Sequence, residues 1–234
     1  MTSSPPASQT LSRGIRILEI LADAPQPLTI DEIARRLDLH RSVAYRLLRT
    51  LEDHRLISRD SAGGVTLGAR MAALATGVAR DLQAEALPEL TAVANDLGMT
   101  CFLAVLDGDE CITLASIEPR HALASVAQRP GSRHAITVGA PSKAILSALS
   151  DAQWPVQPDA ALRDEIADAA ARGWATSHDE VIPTVQAVAV PLRLREGHRP
   201  AAIAVVHVAA PADPAPLAAR LERSAAAIRD ALGS

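Results

Sequence analysis

The sequence predicts an α+β protein with two parts, a small N-terminal domain of helices closed by a hairpin and a larger C-terminal domain built on an antiparallel sheet. Two observations support this prediction. Between residues 28 and 67, a capped helix, a short turn, a second helix and a hairpin follow one another. After residue 100, strand patterns alternate with helical ones and several strands are joined directly by turns, which favours an antiparallel sheet. With 234 residues, 48% of them hydrophobic, the chain can form both cores.

The chain begins with a segment that is small, polar and proline-containing, so residues 1–9 are predicted to be a disordered tail. The first helix is predicted over residues 11–23, closed by Pro25 and Pro27. Its inward face is expected to hold Ile15, Leu18 and Leu21 or Ala22. This helix supports the N-terminal domain, which is assigned to residues 10–67.

The second helix has a clear start signal. Thr29 followed three residues later by Glu32 is a capping box, so a short helix is expected from Thr29 onward. Apolar residues then recur at helical spacing, namely Ile30, Ile33, Ala34 and Leu37. Residues 38–40 leave room only for a tight turn, and either His40 or Ser42 caps the third helix.

The third helix, which is predicted to run to about His54, has two chemically different sides on a helical wheel. One side is apolar and holds Val43, Ala44, Leu47, Leu48 and Leu51. The other side holds Arg41, Ser42, Tyr45, Arg46, Arg49, Glu52 and Asp53. Arginines that neutralise phosphates and groups that reach base edges indicate the recognition helix of a helix-turn-helix. Any soluble amphipathic helix can carry arginines on its wet side, so this pattern needs support from its surroundings.

A hairpin after the third helix provides that support. Two short strands are predicted over residues 56–60 and 65–67, around the Gly63-Gly64 turn. A hairpin in this place is the wing of a winged helix-turn-helix, and Arg55 and Arg59 are expected beside the DNA backbone. The candidate DNA-binding residues are Thr29, Arg41, Ser42, Tyr45, Arg46, Arg49 and Arg59.

Residues 68–81 are rich in alanine and predict a linker helix. Its apolar stripe consists of Met71, Leu74, Ala75 and Val78. The stripe can pack on a second subunit or form an ordinary contact within the chain, and the sequence leaves both open. A further helix is predicted over residues 82–97, with a kink or restart at Pro88 and an end at Gly98.

The C-terminal domain is assigned to residues 82–234. Strands over residues 100–106 and 111–117 are predicted to form a hairpin at Asp107-Gly108, apolar on both faces and therefore covered on both. Further strands are predicted over residues 121–128, 133–138, 174–178, 185–194 and 201–209, with Glu196-Gly197 as the last turn. Helices are predicted over residues 141–149, 160–172 and 217–232, and the first of them has Pro141 at its first position.

The cysteines and the charge distribution exclude several classes of protein. Counting outward from a two-residue turn places Cys111 opposite Ala104 and Cys101 opposite Leu114, so no disulfide is expected. No metal-ligand spacing is found, and neither a metal nor a cofactor is predicted. The chain has no signal peptide and no apolar run of transmembrane length, so a soluble cytoplasmic protein is expected. Its net charge is −4 with the acidic excess beyond residue 60, so the C-terminal domain is not expected to bind DNA.

These stretches together resemble the IclR-type bacterial transcriptional regulators, from Gln9 to Gly233. The likeness is carried by the order and spacing of six segments rather than by one motif. They are residues 11–21, 37–51 (LDLHRSVAYRLLRTL), 65–74, 100–114, 137–146 (TVGAPSKAIL) and 172–211. The resemblance implies a winged helix for operator DNA, a linker helix, a GAF-like effector-binding domain, and assembly as homodimers or homotetramers.

The resemblance also implies where an effector binds. In the family the effector, often a small carboxylate, lies at the start of the helix that corresponds to residues 141–149. A helix N-terminus offers unpaired N–H groups and the positive end of the helix dipole, which suits an anion. Gly139, Ala140, Pro141 and Ser142 are expected to line the site. Because Pro141 has no N–H, the amides of Ser142 and Lys143 are the expected donors.

Four further positions of the implied pocket are Ser177, Ala187, His207 and Ala209, and all four depart from the family pattern. Ser177 stands where an acid is frequent, Ala187 where Cys is common, and His207 and Ala209 where small hydroxylated residues are frequent. The departures imply a less polar pocket with an imidazole, and a larger or aromatic acid as effector. For His207 the alternative is a core histidine bonded to a backbone carbonyl.

Three functions are compared. The leading hypothesis is a regulator whose dimer reads a pseudo-palindromic operator and whose effector changes the placement of the DNA-binding domains. An enzyme is disfavoured, because both cysteines lie in apolar strands and no serine elbow, carboxylate pair or zinc-binding histidine pair is present, so no catalytic residue is assigned. A ligand-binding or scaffolding module without DNA is opposed by Arg41, Arg46 and Arg49 on one helical side.

Overall fold

The computed structural model describes residues 8–121, 126–195, 197–208 and 213–233. The chain divides into two units, one up to Val78 and one from Ala79 onward. The N-terminal unit contains, in order, α1 (Gln9–Ala22), α2 (Ile30–Arg36), α3 (Arg41–Asp53), β1 (Ile57–Arg59), β2 (Val65–Leu67) and α4 (Arg70–Ala75). β1 and β2 form the predicted antiparallel wing, so a winged helix-turn-helix is present.

The core of the N-terminal unit joins the apolar sides of its three longest helices to the wing. Ile33, Leu48 and Val65 are buried in it, and Leu28 forms an isolated bridge to Val65. On α1 the buried positions are Gly14, Ile17 and Leu21. Ile15 was predicted to face inward, but it is exposed, because the buried stripe follows the 3.6-residue period from Gly14 and leaves Ile15 beside it.

The start of α2 has the predicted capping box. The N–H of Thr29 donates to Glu32 Oε2 at 2.7 Å, and the N–H of Glu32 donates to Thr29 Oγ1 at 3.3 Å. The backbone and side-chain hydrogen bonds from Thr29 hold the pKa of the Glu32 carboxyl below its usual value. The turn before α3 reverses at Asp38, whose φ is 51°, and the cap of α3 is His40, whose Nδ1 accepts from the N–H of Ser42.

The predicted linker helix over residues 68–81 is shorter in the structure. α4 ends at Ala75, and the next helix starts only at Arg80, after Ala79 with a left-handed φ of 44°. Thr76 and Gly77 are weak helix formers, and they fill the break. α4 buries none of its residues, and the stripe of Met71, Leu74, Ala75 and Val78 is exposed or half-buried. The N-terminal unit therefore gives no support to an ordinary intrachain core contact.

The C-terminal unit is a six-stranded antiparallel sheet with helices on both faces. Its strand order is β5-β4-β3-β8-β7-β6 and every pairing is antiparallel, as the fold class predicted. The elements are α5 (Arg80–Leu97), β3 (Thr100–Asp107), β4 (Glu110–Ile117), β5 (Arg133–Ala135), α6 (Ala140–Ser147), α7 (Ala160–Arg172), β6 (Ala175–His178), β7 (Gln186–Leu192), β8 (Ala201–His207) and α8 (Ala215–Ala231), with a 3₁₀ turn at Asp151–Gln153.

Alternate residues of β3 supply two separate cores. Cys101, Leu103 and Val105 face one core, which α5 and α8 cover. Phe102 and Ala104 face the other core, to which α6 and α7 contribute. The prediction that this hairpin is covered on both faces is confirmed for β3. In β4, Cys111, Thr113 and Ala115 are buried, but Ile112 and Leu114 are only half-buried.

The register of the β3–β4 hairpin differs from the prediction. Cys101 pairs with Ile117 and Cys111 pairs with Leu106, because the turn lies at Gly108-Asp109 and the register shifts between Leu103 and Ala104. The expected absence of a disulfide holds for a stronger reason, since the two free thiols lie in cores on opposite faces of the sheet. Burial raises the pKa of both thiols, that of Cys111 to about 12.

Several other boundaries are corrected. Of the strand predicted over residues 121–128, residues 122–125 lie outside the described residues and residues 126–128 are not a strand. The strand expected over residues 133–138 stops at Ala135, where the chain turns toward α6. α6 begins at Ala140, so Pro141 is its second residue rather than its first. Pro88 lies inside α5 without ending it, and Glu196 of the predicted last turn lies outside the described residues.

The Thr29→Ala substitution tests the capping box. Loss of the cap is expected to destabilise α2 by about 1 kcal/mol, which makes exchange of the amides in residues 30–36 roughly fivefold faster if α2 opens locally. Hydrogen exchange of the full chain, followed by mass spectrometry, measures this. Thr50→Ala removes an exposed hydroxyl inside α3 as a control. Equal exchange of residues 30–36 in both variants contradicts the assignment.

Candidate functional site

The polar side of α3 is exposed over its first three turns. Tyr45 is 49% exposed and Arg41, Ser42, Arg46 and Arg49 are exposed. The opposite side is packed in the core through Ala44, Leu47, Leu48 and Leu51. Among the described residues, Arg46 and Arg49 form no salt bridge. The predicted orientation of α3 is confirmed, and two uncompensated guanidinium groups face outward.

Other candidate DNA-binding residues already have partners within the protein. The Thr29 side chain is used in the capping box, and the Ser42 hydroxyl lies 2.8 Å from His40 Nδ1. Arg41 forms a 3.1 Å salt bridge with Asp31, but both side chains are well exposed. Surface pairs of this kind stabilise little, so Arg41 can exchange this partner for another anion at little cost.

Arg59 of the wing attaches to α3 instead of pointing freely outward. Its Nε lies 3.0 Å from Glu52 Oε2, and its guanidinium lies 5.9 Å from the centre of the Tyr45 ring. Sequence reasoning placed Tyr45 and Glu52 on the same side of α3 but did not connect them to the wing. Their spacing of seven residues, two helical turns, was the signal that a residue of the wing can bridge them.

The C-terminal unit contains an open cleft of about 530 Å³ beside α6 and α7. Strands β6, β7 and β8 form its floor, where Ser177 pairs with Ala187 and Gln186 pairs with His207. The lining residues are Lys143, Glu165, Asp168, Arg172, Thr176, Ser177, His178, Glu180, Gln186, Ala187, Val188, His207 and Pro214. Most of these residues are polar, and the expected imidazole, His207, is among them. That the pocket is less polar than is usual in the family stays a prediction.

Lys143, the only lysine of the chain, is among the residues that line this cleft. Its side chain is only 6% exposed and forms salt bridges with Glu165 and with Glu180, whose Oε1 lies 2.6 Å from Nζ. A buried ammonium is costly unless it is paired and hydrogen-bonded, and the two carboxylates meet that requirement. Lys143, Glu165 and Glu180 therefore form an ion cluster with one positive and two negative charges.

Glu180 also occupies the N-terminus of α6. Its Oε2 accepts a 2.8 Å hydrogen bond from the N–H of Gly139, the residue that caps this helix. Gly139 has a φ of 87°, and a Cβ atom there would lie 3.1 Å from His134 Cε1 and 3.1 Å from Val181 Cγ2. Glycine is required here because the backbone conformation is left-handed and neighbouring side chains close over it.

The structure brings together only part of the predicted effector site. Ser177, Ala187 and His207 line the cleft. Gly139, Ala140, Pro141 and Ser142 are buried and absent from its described lining, Gly139 beneath Glu180, Val181 and His134. Ala209 lies outside the described residues. His207 is 7% exposed, a burial that both of its interpretations allow.

The Ser142 side chain points to a different neighbour. Its hydroxyl lies near the Cys111 thiol and lowers the pKa of that thiol, but burial raises this pKa by more. The hydroxyl forms no hydrogen bond of normal geometry with the described residues. Sequence reasoning used Lys143 only for its backbone amide and missed its ammonium. The only lysine of the chain, two residues after Pro141 in an apolar helix, was the available signal, whereas no local signal identified Glu165 or Glu180.

Known families match this chain in two successive stretches. The IclR helix-turn-helix domain matches residues 10–61, and the C-terminal domain of the bacterial transcriptional regulator IclR matches residues 75–155. The HTH-type transcriptional regulator Rv1719 of Mycobacterium tuberculosis is 30% identical over 200 residues, which cover 79% of this chain and 77% of that protein. The chain belongs to the IclR family. This IclR-family protein is therefore a DNA-binding transcriptional regulator and not an enzyme.

Further relatives agree with this assignment. The probable transcriptional regulator SauR of Cupriavidus necator is 30% identical over 211 residues, covering 82% of this IclR-family chain and 83% of SauR. An IclR transcriptional regulator from Alicyclobacillus acidocaldarius matches in structure with a TM-score of 0.83 and 25% identity, over 97% of this chain and 99% of the other. An IclR homolog from Microbacterium hydrocarbonoxydans, solved in complex with 4-hydroxybenzoate, matches with a TM-score of 0.80 and 25% identity, over 96% of this chain and 99% of the other.

Metal-binding clusters and membrane-spanning helices are both absent from the described residues of this IclR-family chain. No group of three or more His, Cys, Asp or Glu residues is placed to hold a metal ion. None of the helices in the described ranges has the length and apolarity that a membrane crossing requires.

The Gly139→Ala substitution tests the close packing at the start of α6. Gly139 has a φ of 87° and a ψ of 147°, a combination that is nearly restricted to glycine and costs another residue about 1–3 kcal/mol, and the 3.1 Å contacts with His134 and Val181 add to that cost. Gly131→Ala is the control, because Gly131 has a φ of 86° but open space around its Cβ position. Both tryptophans, Trp154 and Trp174, lie in the C-terminal unit, so urea unfolding followed by their fluorescence reports on it. Equal losses in the two variants refute the packing argument.

Proposed function

We propose that this IclR-family protein is a one-component regulator that binds a pseudo-palindromic operator as a dimer or tetramer and responds to a small organic acid. The observation that carries the DNA half of this proposal is the outward side of α3 in a capped, winged helix-turn-helix. In this arrangement the recognition helix enters the major groove, and two-fold related helices require half-sites about one helical turn apart. The cytoplasmic location predicted from the sequence is part of the same proposal.

The residues proposed to bind DNA differ in whether they already have a partner within the protein. Arg46 and Arg49 have no salt bridge among the described residues, so they can approach base edges or phosphates without losing a partner. Tyr45 and Arg59 are held against each other, so they are proposed to contact the backbone as one preformed group. Thr29, Arg41 and Ser42 are proposed to contribute at the edge of this surface.

Substitution of Arg46 or Arg49 by Ala tests the DNA half. If the guanidinium reads a base, operator affinity falls by about 1–3 kcal/mol, or roughly 5- to 150-fold. If it contacts a phosphate, binding weakens equally for all sequences and the salt slope falls by about one. Mobility-shift titrations with the upstream promoter DNA at several salt concentrations measure both quantities.

Arg223→Ala is the control for those titrations, because Arg223 is an exposed arginine on α8 in the C-terminal unit. It removes the same charge away from the proposed surface and is expected to leave operator affinity unchanged. Unchanged binding by both Arg46→Ala and Arg49→Ala rejects the assignment of α3 as the recognition helix.

For the effector half, the proposed site is the cleft that contains Lys143, Ser177, Ala187 and His207. A cleft of about 530 Å³ has the size of a small-molecule site, and the buried ammonium favours an anionic group. Binding of 4-hydroxybenzoate by the Microbacterium hydrocarbonoxydans homolog supports an aromatic acid for this chain as well. Gly139, Ala140, Pro141, Ser142 and Ala209 are proposed to complete the site.

A thermal-shift screen of aromatic carboxylates, including 4-hydroxybenzoate, each tested beside its neutral amide, measures the effector half. A true effector raises the melting temperature by mass action and its amide does not. The same compound must also change operator affinity, because the coupling between two sites is reciprocal. An equal response to acid and amide, or no response to any acid, refutes the proposed effector class.

A further inference from the structure

We propose that Glu180 is a built-in substitute for the effector carboxylate, and that an acidic effector binds by displacing it from the start of α6. This inference rests on the proposed function, because it names how the proposed effector site is regulated. Nothing in the family resemblance or in the named relatives specifies this contact. It follows from the two hydrogen bonds that one side chain makes.

The contact has the geometry of carboxylate recognition. Glu180 uses both of its oxygens, Oε2 toward the N–H of Gly139 at 2.8 Å and Oε1 toward Lys143 Nζ at 2.6 Å. One donor belongs to a helix N-terminus and the other is a cation that is nearly fully buried. Together they provide the partial positive charge, the full positive charge and the direction that a bound carboxylate needs.

The charges around Lys143 disfavour a further anion while Glu180 is in place. Lys143 is already paired with two carboxylates, Glu165 and Glu180. The charges of Asp168 and Arg172, which also line the cleft, offset each other, so an effector carboxylate next to Glu180 would be a third anion around one buried ammonium. Replacement of Glu180 keeps the charge count unchanged, so exchange is the favourable route.

Of the two carboxylates on Lys143, Glu180 is the one that is placed to leave. Glu165 lies within α7, whereas Glu180 lies in the connection between β6 and β7. This connection is closed at its base by hydrogen bonds of its own, from the N–H of Asp179 to the carbonyl of Val185 and from the N–H of Thr184 to the Asp179 side chain. The loop can therefore move as a unit on Asp179 and Thr184, which both have left-handed φ angles.

Little apolar burial holds the tip of this loop in place. Val181 is 44% exposed and Ile182 is 38% exposed. The Val181 side chain also closes over Gly139, so departure of Glu180 together with Val181 uncovers the residue that the family resemblance places in the effector site. Displacement of Glu180 by an effector thus explains how Gly139 can be buried in this structure and still belong to the proposed site.

A tethered competitor also selects among acids. Because Glu180 is covalently attached, its effective concentration at Gly139 is high, and a free carboxylate must gain binding energy elsewhere to replace it. The remaining part of the cleft, with Ser177, Ala187 and His207, can supply that energy only to an acid that has a larger body. The site therefore discriminates against very small acids by competition rather than by size.

The test uses Glu180→Ala, which removes the CH₂–COO⁻ group that acetate can replace. In sodium chloride this variant is expected to melt at a lower temperature than the wild type. In sodium acetate of equal ionic strength its melting temperature is expected to rise by about 2–4 °C more than that of the wild type, because acetate binds the freed donors. Tryptophan fluorescence measures melting, and acetamide, which lacks the charge, is expected to have no such effect.

Asp164→Ala is the matched control, since it removes an exposed carboxylate of α7 that is not among the residues lining the cleft and forms no salt bridge with Lys143 among the described residues. Its response to acetate is expected to equal that of the wild type. Glu180→Gln keeps the shape and serves if Glu180→Ala does not fold. Its amide oxygen is a weaker competitor than a carboxylate, so its acetate response is expected to lie between those of the wild type and Glu180→Ala.

An acetate response of both Glu180 variants that equals that of the wild type and Asp164→Ala overturns this inference. An equal effect of acetate and acetamide overturns it as well. The proposed function fails separately, because operator binding by the wild-type protein is measured without acetate, and the melting series involves no DNA.

Discussion

The double-sided apolar sheet is the constraint on which the C-terminal unit depends. Every second residue of β3 faces one core and the intervening residues face the other, so both faces must be covered by helices. Each fully buried Leu, Ile or Val side chain contributes roughly 1.5–3 kcal/mol, and none of it is gained unless both layers form. α6 can therefore be almost wholly buried, and its N-terminus is placed at the edge of the cleft.

That burial explains the chemistry of the cleft. A lysine one turn into a buried helix has its ammonium removed from water, and the protein must supply carboxylates to it. It does so from α7, which packs on α6, and from the β6–β7 connection. Glu180 pairs with the Lys143 ammonium and also accepts a hydrogen bond from the N–H of Gly139. One side chain therefore both stabilises the buried cation and makes the contact proposed for an effector carboxylate.

The parts of this protein that the sequence predicts well are those with local causes. The capping box of Thr29 and Glu32, the two sides of α3, and α7 with its closing Gly173 depend on residues within one or two helical turns. Errors arise where distant residues decide. The bulge at Leu114 of β4 depends on pairing with β3, and the break after Ala75 competes with an alanine-rich pattern that favours continuous helix. Glu180 and Lys143 are 37 residues apart, and no periodicity connects them.

The wing illustrates the same division in the N-terminal unit. Its existence follows from a glycine turn between two short strands, but the role of Arg59 depends on where Glu52 and Tyr45 project from α3. Since Arg59 bridges the wing to these two residues, the wing and the recognition helix form one surface rather than two independent contacts. A surface that is ordered before DNA arrives loses less side-chain entropy on binding than one whose arginines are all free. Under the proposed function, Arg46 and Arg49, which form no salt bridge among the described residues, are then available for contacts with base edges or phosphates.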